Sequence, residues 1–243
     1  EAMNSSKKSI LNSNFTYLAA FVLPVIMMMA LYYTRGIFPW GNECYLRSDM
    51  YHQYAPFFSE LWHKIRNGES LTYSWNIGMG TNFTSLFAYS LASPSNWFVA
   101  LFPQKYTIEI MNAFIILKIA GSSLSLTYYL TKHNNNKHVI AAIFGMFYGM
   151  SGFIAAYSWN IMWLDCVILI PLIMLGLERL VNENRCIFYC ITLGLCIFTN
   201  YYIAIMVCLS VVIYYVVLMI AYNGIKSPMQ YVKKFINFCV YSL

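Results

Sequence analysis

Residues 15–33 read FTYLAAFVLPVIMMMALYY, without one charged side chain. As a helix rising 1.5 Å per residue this run reaches about 28 Å, close to the thickness of a bilayer's hydrocarbon core. The preceding Met3–Ser13 is polar and carries Lys7 and Lys8. No small-residue cleavage site follows the run, so it is expected to be a retained first span, kinked at Pro24, and not a removed leader.

Working outward, the same pattern recurs. Thr107–Leu130 is a second apolar run, interrupted by Glu109 and Lys118. Val139–Tyr157 is rich in small residues that permit close helix approach. Trp163–Leu180 contains Pro171, Cys186–Phe198 is short, and Asn200–Tyr222 is long. The polar Thr199-Asn200-Tyr201-Tyr202 predicts a turn that separates the last two. Phe235–Leu243 opens a seventh span but supplies only about 14 Å. The chain is therefore expected to be the N-terminal part of a longer protein. The fold class expected is all-α, a polytopic transmembrane helical bundle, with a short N-terminal segment 1–14 and a transmembrane domain 15–243.

Composition agrees. Hydrophobic residues make up 60% of the chain and charged residues 10%, against about 25% charged in soluble domains. So few charges cannot solvate a surface of this size, whereas lipid accepts apolar side chains. The net charge of +6 sits in short segments between apolar runs, which points to membrane orientation and not to a nucleic-acid partner. Of seven cysteines only Cys44 lies in a polar segment. Their spacing fits neither a zinc site nor a disulfide framework. No cofactor or metal site is expected, and the sequence leaves a divalent-metal requirement open.

Lys7 and Lys8, Lys132 and Lys137, Arg179 and Arg185, and Lys226, Lys233 and Lys234 occupy alternate connections. All should face the cytoplasm, the N-terminus included, in a multi-pass protein of the bacterial cell membrane. The other side then receives Arg35–Tyr106, the short Ser158–Met162 loop and the Asn200 turn. Apolar and aromatic residues at helical spacing in Ser48–Ile65, and the aromatic Asn82–Phe102 divided by Pro94, predict two surface-lying helices near 50–66 and 84–101.

Two acids stand where chemistry at that outer face could use them. Asp49 follows the first span; Asp165 opens the fourth. A carboxylate at the edge of lipid is costly and calls for a reason. For Asp49 a helix N-cap is the alternative; for Asp165 it is the anchoring of a helix end between tryptophans. Ser74–Asn82 holds Gly78 and Gly80, which permit a tight turn. No strand–helix unit surrounds it, so it is no dinucleotide fingerprint.

The ordered motifs Asp49-Met50-Tyr51-His52-Gln53-Tyr54, Tyr73-Ser74-Trp75 with Gly78-Met79-Gly80-Thr81-Asn82, Tyr89 with Ser93-Pro94-Ser95-Asn96, Trp159-Asn160-Ile161-Met162-Trp163-Leu164-Asp165 and Asn200-Tyr201-Tyr202 resemble the bacterial YfhO membrane protein family. That family resembles the GT-C class of polytopic glycosyltransferases, which carry surface helices in the first outer loop. The resemblance implies transfer of a sugar from an undecaprenyl-phosphate carrier to an envelope polymer such as lipoteichoic or teichoic acid. It implies that Asp49 binds or deprotonates the acceptor hydroxyl, with Asp165 as a second catalytic acid. Membrane lipid, the polyprenyl-phosphate sugar and the polymer are the partners it implies.

A leaving phosphate needs cations, for which Arg47, His52 and Lys105 are available. Tyr54, Trp75, Tyr89 and Trp163 are candidates to stack on sugar rings. Gln53, Asn82, Asn160, Asn200 and Tyr201 complete the expected substrate-binding set. Two other readings compete: a flippase or transporter for lipid-linked sugars, and a non-catalytic envelope-assembly subunit. A transporter places ionisable groups near the midplane and often shows inverted repeats, whereas these acids cluster at one face. An assembly subunit would not need Asp49.

Overall fold

The computed structural model describes residues 2–135, 139–221 and 227–242, with side chains from residue 14 onward. The expected charges Lys7, Lys8, Lys137 and Lys226 lie outside the described side chains. Almost everything else is helical. Helix α1 (Ala2–Thr34) contains Pro24 and leads into an irregular segment. A π-helical turn, Met50–Tyr54, runs into α2 (Ala55–Asn67), which ends on Gly68 in the left-handed conformation. Two-residue strands β1 (Tyr73–Ser74) and β2 (Thr81–Asn82) pair antiparallel, Tyr73 opposite Asn82. Then follow α3 (Phe83–Leu86), α4 (Thr107–His133), α5 (Val139–Gly149), α6 (Gly152–Tyr157), α7 (Leu164–Glu183), α8 (Ile187–Thr199), α9 (Tyr201–Ala221) and α10 (Pro228–Ser242).

Helix α4 is the centre, packed against α1, α5 and α7. Its approach to α5 depends on two glycines. A Cβ on Gly149 would lie 2.7 Å from the Ile119 carbonyl, and one on Gly145 would collide with Thr127 and Ser123. Several polar side chains in the bundle close their hydrogen bonds internally, which lipid favours. Ser123 Oγ donates to the Ala20 carbonyl at 2.6 Å, Tyr148 to the Val167 carbonyl at 2.7 Å, and Tyr17 meets Thr131 at 2.8 Å. The outward side chains of α9, among them Ile205, Leu209, Ile213, Val216 and Ile220, are exposed and apolar. Such a face is stable against lipid and not against water.

Among the described residues four helical stretches are long and apolar enough to cross a membrane: Asn14–Thr34, Gln104–His133, Val139–Tyr157 and Tyr201–Ala221. The six spans expected are thus four by length and composition. Helix α7 drops out because it carries Asp165, Glu178, Arg179 and Glu183; α8 drops out because it is short. The charges of α7 are largely answered inside the bundle. Asp165 pairs with Lys118, and Glu178 accepts from Tyr129 and Tyr214 and meets His133 Nδ1 at 2.9 Å.

Three boundaries differ from the sequence reading. Val139–Tyr157 breaks at Met150–Ser151, where Ser151 is extended between two glycines. Asn82–Phe102 is helical without being one α-helix: after α3 come a π-turn, Phe87–Leu91, and a 3-10 stretch, Pro94–Leu101. Pro94 has no N–H to continue the ladder, and Ser93 before it is extended. Helix α10 begins at Pro228 and not at Phe235, because proline suits the first helical turn.

Candidate functional site

The segment between α1 and α4 folds back over one end of the bundle. Met50, Tyr54, Phe58 and Leu61 form one buried face, which joins α4 residues Met111, Ile115 and Ile119 in a common core. The alternation of these side chains with exposed Tyr51, His52 and Gln53 fixes which way each candidate points. Tyr54 goes in; His52 and Gln53 stay at the surface, the His52 ring edge-on to Tyr51.

Asp49 is half-buried and follows Ser48, which is held at φ +48°. Its side chain makes no capping hydrogen bond, so the N-cap alternative is not realised. Its charge is instead felt by two tyrosines. Burial, then Tyr89 and Asp49, push the Tyr54 hydroxyl up to about 12. Tyr89 is also raised, by burial first and then by Tyr201, Tyr202 and Asp49. Both phenols therefore stay neutral donors at physiological pH.

Tyr54 donates to Asn160 Oδ1 at 3.1 Å and its ring stacks on Trp159. Asn200 is fully buried at the break between α8 and α9. Its Nδ2 donates to the Tyr89 carbonyl at 2.8 Å, while its Oδ1 accepts the Ile203 N–H and caps α9. The Tyr89 ring meets Tyr201, and Trp163 stacks on Tyr202. Asp49, Tyr54, Tyr89, Asn160, Asn200 and Tyr201 thus form one neighbourhood drawn from four parts of the chain. Within it Asn160 Nδ2 and Trp163 Nε1 are buried N–H donors with no protein acceptor. Buried donors of this kind normally find a partner.

Asp165 sits in a second network. Lys118 Nζ lies 2.7 Å from Asp165 Oδ2 and donates to the Ile161 carbonyl. The two networks meet at consecutive residues, Asn160 held by Tyr54 and Ile161 by Lys118. Sequence reasoning treated Lys118 as an interruption of a span. An intramembrane cation demands a partner, and that signal could have found the pair.

Next to this neighbourhood lies a cavity of about 570 Å³. Met28 and Leu31 of α1, Ile119 of α4 and Met150 and Ile154 line it with apolar surface; Arg35, Glu43 and Arg47 supply charge. Trp159, stacked on Tyr54, is part of its wall. Arg35 and Glu43 were not singled out from sequence, since nothing local distinguishes them from interfacial charges.

Trp75 and Asn82 belong to the β1–β2 hairpin. Trp75 is exposed and edge-on to Tyr73. Asn82 Oδ1 accepts the Ser85 N–H and caps α3, a structural use of a residue expected to bind substrate. Lys105 lies over the Tyr106 ring. Among the described residues no group of three or more His, Cys, Asp or Glu side chains could hold a metal ion.

Spanning helices that face lipid, with an amphiphilic cavity and a half-buried carboxylate in the segments that cap them, define a polytopic membrane protein. The chain belongs to the family described as bacterial membrane protein YfhO, which matches residues 19–243. No curated protein and no solved structure matches it.

Proposed function

We propose that the chain forms the catalytic end of a GT-C-type glycosyltransferase that takes a sugar from a polyprenyl-phosphate carrier and passes it to a hydroxyl of an envelope polymer. One observation carries this reading: Asp49 stands two residues from Arg47, whose cavity combines apolar walls with two arginines. A lipid phosphate has that same division, an apolar chain and an anionic head. Family membership supports a glycosyltransferase-type activity.

In this reading the Asp49 carboxylate takes the proton of the attacking hydroxyl as its oxygen bonds to the anomeric carbon. The bond from that carbon to the phosphate oxygen breaks, and its electron pair leaves with the lipid phosphate. Arg47 and Arg35 meet the developing charge. The test uses the full chain in liposomes carrying an undecaprenyl-phosphate sugar and an added polymer acceptor. Transfer that falls steeply in Arg47→Gln supports the reading; sugar that only crosses the bilayer without transfer replaces it with a flippase.

A further inference from the structure

A second cleft, of about 340 Å³, lies between α2, the β1–β2 hairpin and the residues before α4. Its volume falls in the range of about 300–1,000 Å³ common for small-molecule sites. Ser59, Glu60, His63, Asn76 and Gln104 line it, with Ile77 as an apolar patch. Nothing in the sugar-transfer reading uses these residues.

The floor of the cleft is a built carboxylate. Glu60 is only 6% exposed. Ser74 Oγ donates to its Oε1 at 2.6 Å and Asn76 Nδ2 to its Oε2 at 3.0 Å. Each carboxylate oxygen accepts about two hydrogen bonds, so each keeps acceptor capacity. Lys64 approaches at 3.7 Å, but its ammonium already donates to the Ser70 and Tyr73 carbonyls. The lysine thus neutralises the carboxylate from beneath and offers no cation to a ligand. Gln104 Nε2 donates to Ser59 Oγ, which leaves the Gln104 carbonyl oxygen as an acceptor. His63 has Glu69 beside its Nε2 at 3.1 Å.

Such a wall is rich in acceptors and repels phosphate. Vicinal hydroxyls suit it, since each donates one hydrogen bond and can accept another.

We propose that this cleft is a binding subsite for neutral, polyhydroxylated ligands, namely sugar rings or polyol units. Its description as a subsite of the polymer or of the donor sugar rests on the transfer reading; the binding itself does not.

Saturation-transfer NMR on the full chain in nanodiscs tests it, with maltotriose and glycerol as separate probes. At least one probe should bind the wild type and bind Asp49→Asn equally. Glu60→Gln should weaken it roughly tenfold, the loss expected for a hydrogen bond to a charged group. Gln104→Trp, at an exposed position and so safe for folding, should fill the cleft and abolish binding. Maltotriose alone marks a sugar subsite; glycerol alone marks a polyol subsite. Binding of neither probe, or undiminished binding by Gln104→Trp, overturns the proposal. A wild-type protein that binds a probe but transfers no sugar would count against the sugar-transfer reading and leave the cleft standing.

Discussion

Lys118 Nζ and Asp165 Oδ2 lie 2.7 Å apart, joining the middle of α4 to the first turn of α7 with side chains only 5% and 13% exposed. Removing one member of such a pair strands a charge, at a cost of about 3–5 kcal/mol. Lys118→Met should therefore lower the unfolding temperature of the purified protein sharply. Lys118→Met/Asp165→Leu should recover most of the loss, because two apolar side chains leave nothing unpaired. We expect this double variant to keep measurable sugar transfer, with Asp165 acting only as a positioning residue that holds Lys118, whose ammonium donates to the Ile161 carbonyl. A stable double variant with no transfer would return Asp165 to the reacting centre.

Asp49 gives the opposite expectation. Its side chain caps nothing, so Asp49→Asn should change stability by about 0.5 kcal/mol or less. Transfer should fall by about 10²–10⁴-fold, the usual contribution of a general base. Thermal unfolding and single-turnover transfer on the same preparation separate the two effects. Wild-type transfer in this variant removes Asp49 from the mechanism.

Asn200 is expected to matter twice. Asn200→Ala loses the cap on α9 and should cost about 0.5–2 kcal/mol. It also frees the Tyr89 carbonyl, so the Tyr89 ring loses its fixed place beside Tyr201. Transfer should show a raised KM with a smaller change in kcat. A change in stability alone, with KM untouched, would limit Asn200 to the cap.

The orientation drawn from the lysines and arginines is tested by single cysteines. Asn67→Cys and Asn135→Cys, each in a background with all seven native cysteines replaced, should react with an impermeant maleimide from opposite sides of the membrane. Reaction of both from the same side rejects the assignment of Arg35–Tyr106 to the outer face.

Helices were legible in the sequence wherever the signal was local. Apolar length located α1, α4 and α9, and a single Asn between two apolar runs located the turn at Asn200. Breaks inside helices were less legible. Gly149-Met150-Ser151-Gly152 reads as small-residue packing, and the extended Ser151 that follows the end of α5 there leaves no periodic signal in the sequence. The partners of charged residues were hardest to see. Lys118 and Asp165 are 47 positions apart, and Tyr129, His133 and Tyr214 converge on Glu178 from two other helices. No periodicity connects residues brought together by packing alone. The Glu60 cleft was missed for the same reason: its walls come from three segments whose residues look like ordinary solvated side chains.

Helix α8, Ile187–Thr199, is about 20 Å long, some 10 Å short of the hydrocarbon core it adjoins. A bilayer meets such a mismatch by thinning locally. The leaflet beside α8 should therefore be dimpled, so that water and headgroups descend to the level of Asn200 and Tyr201. In the proposed transfer a hydrophilic acceptor and a greasy carrier can then share one depth, and neither has to leave its own phase to reach the other.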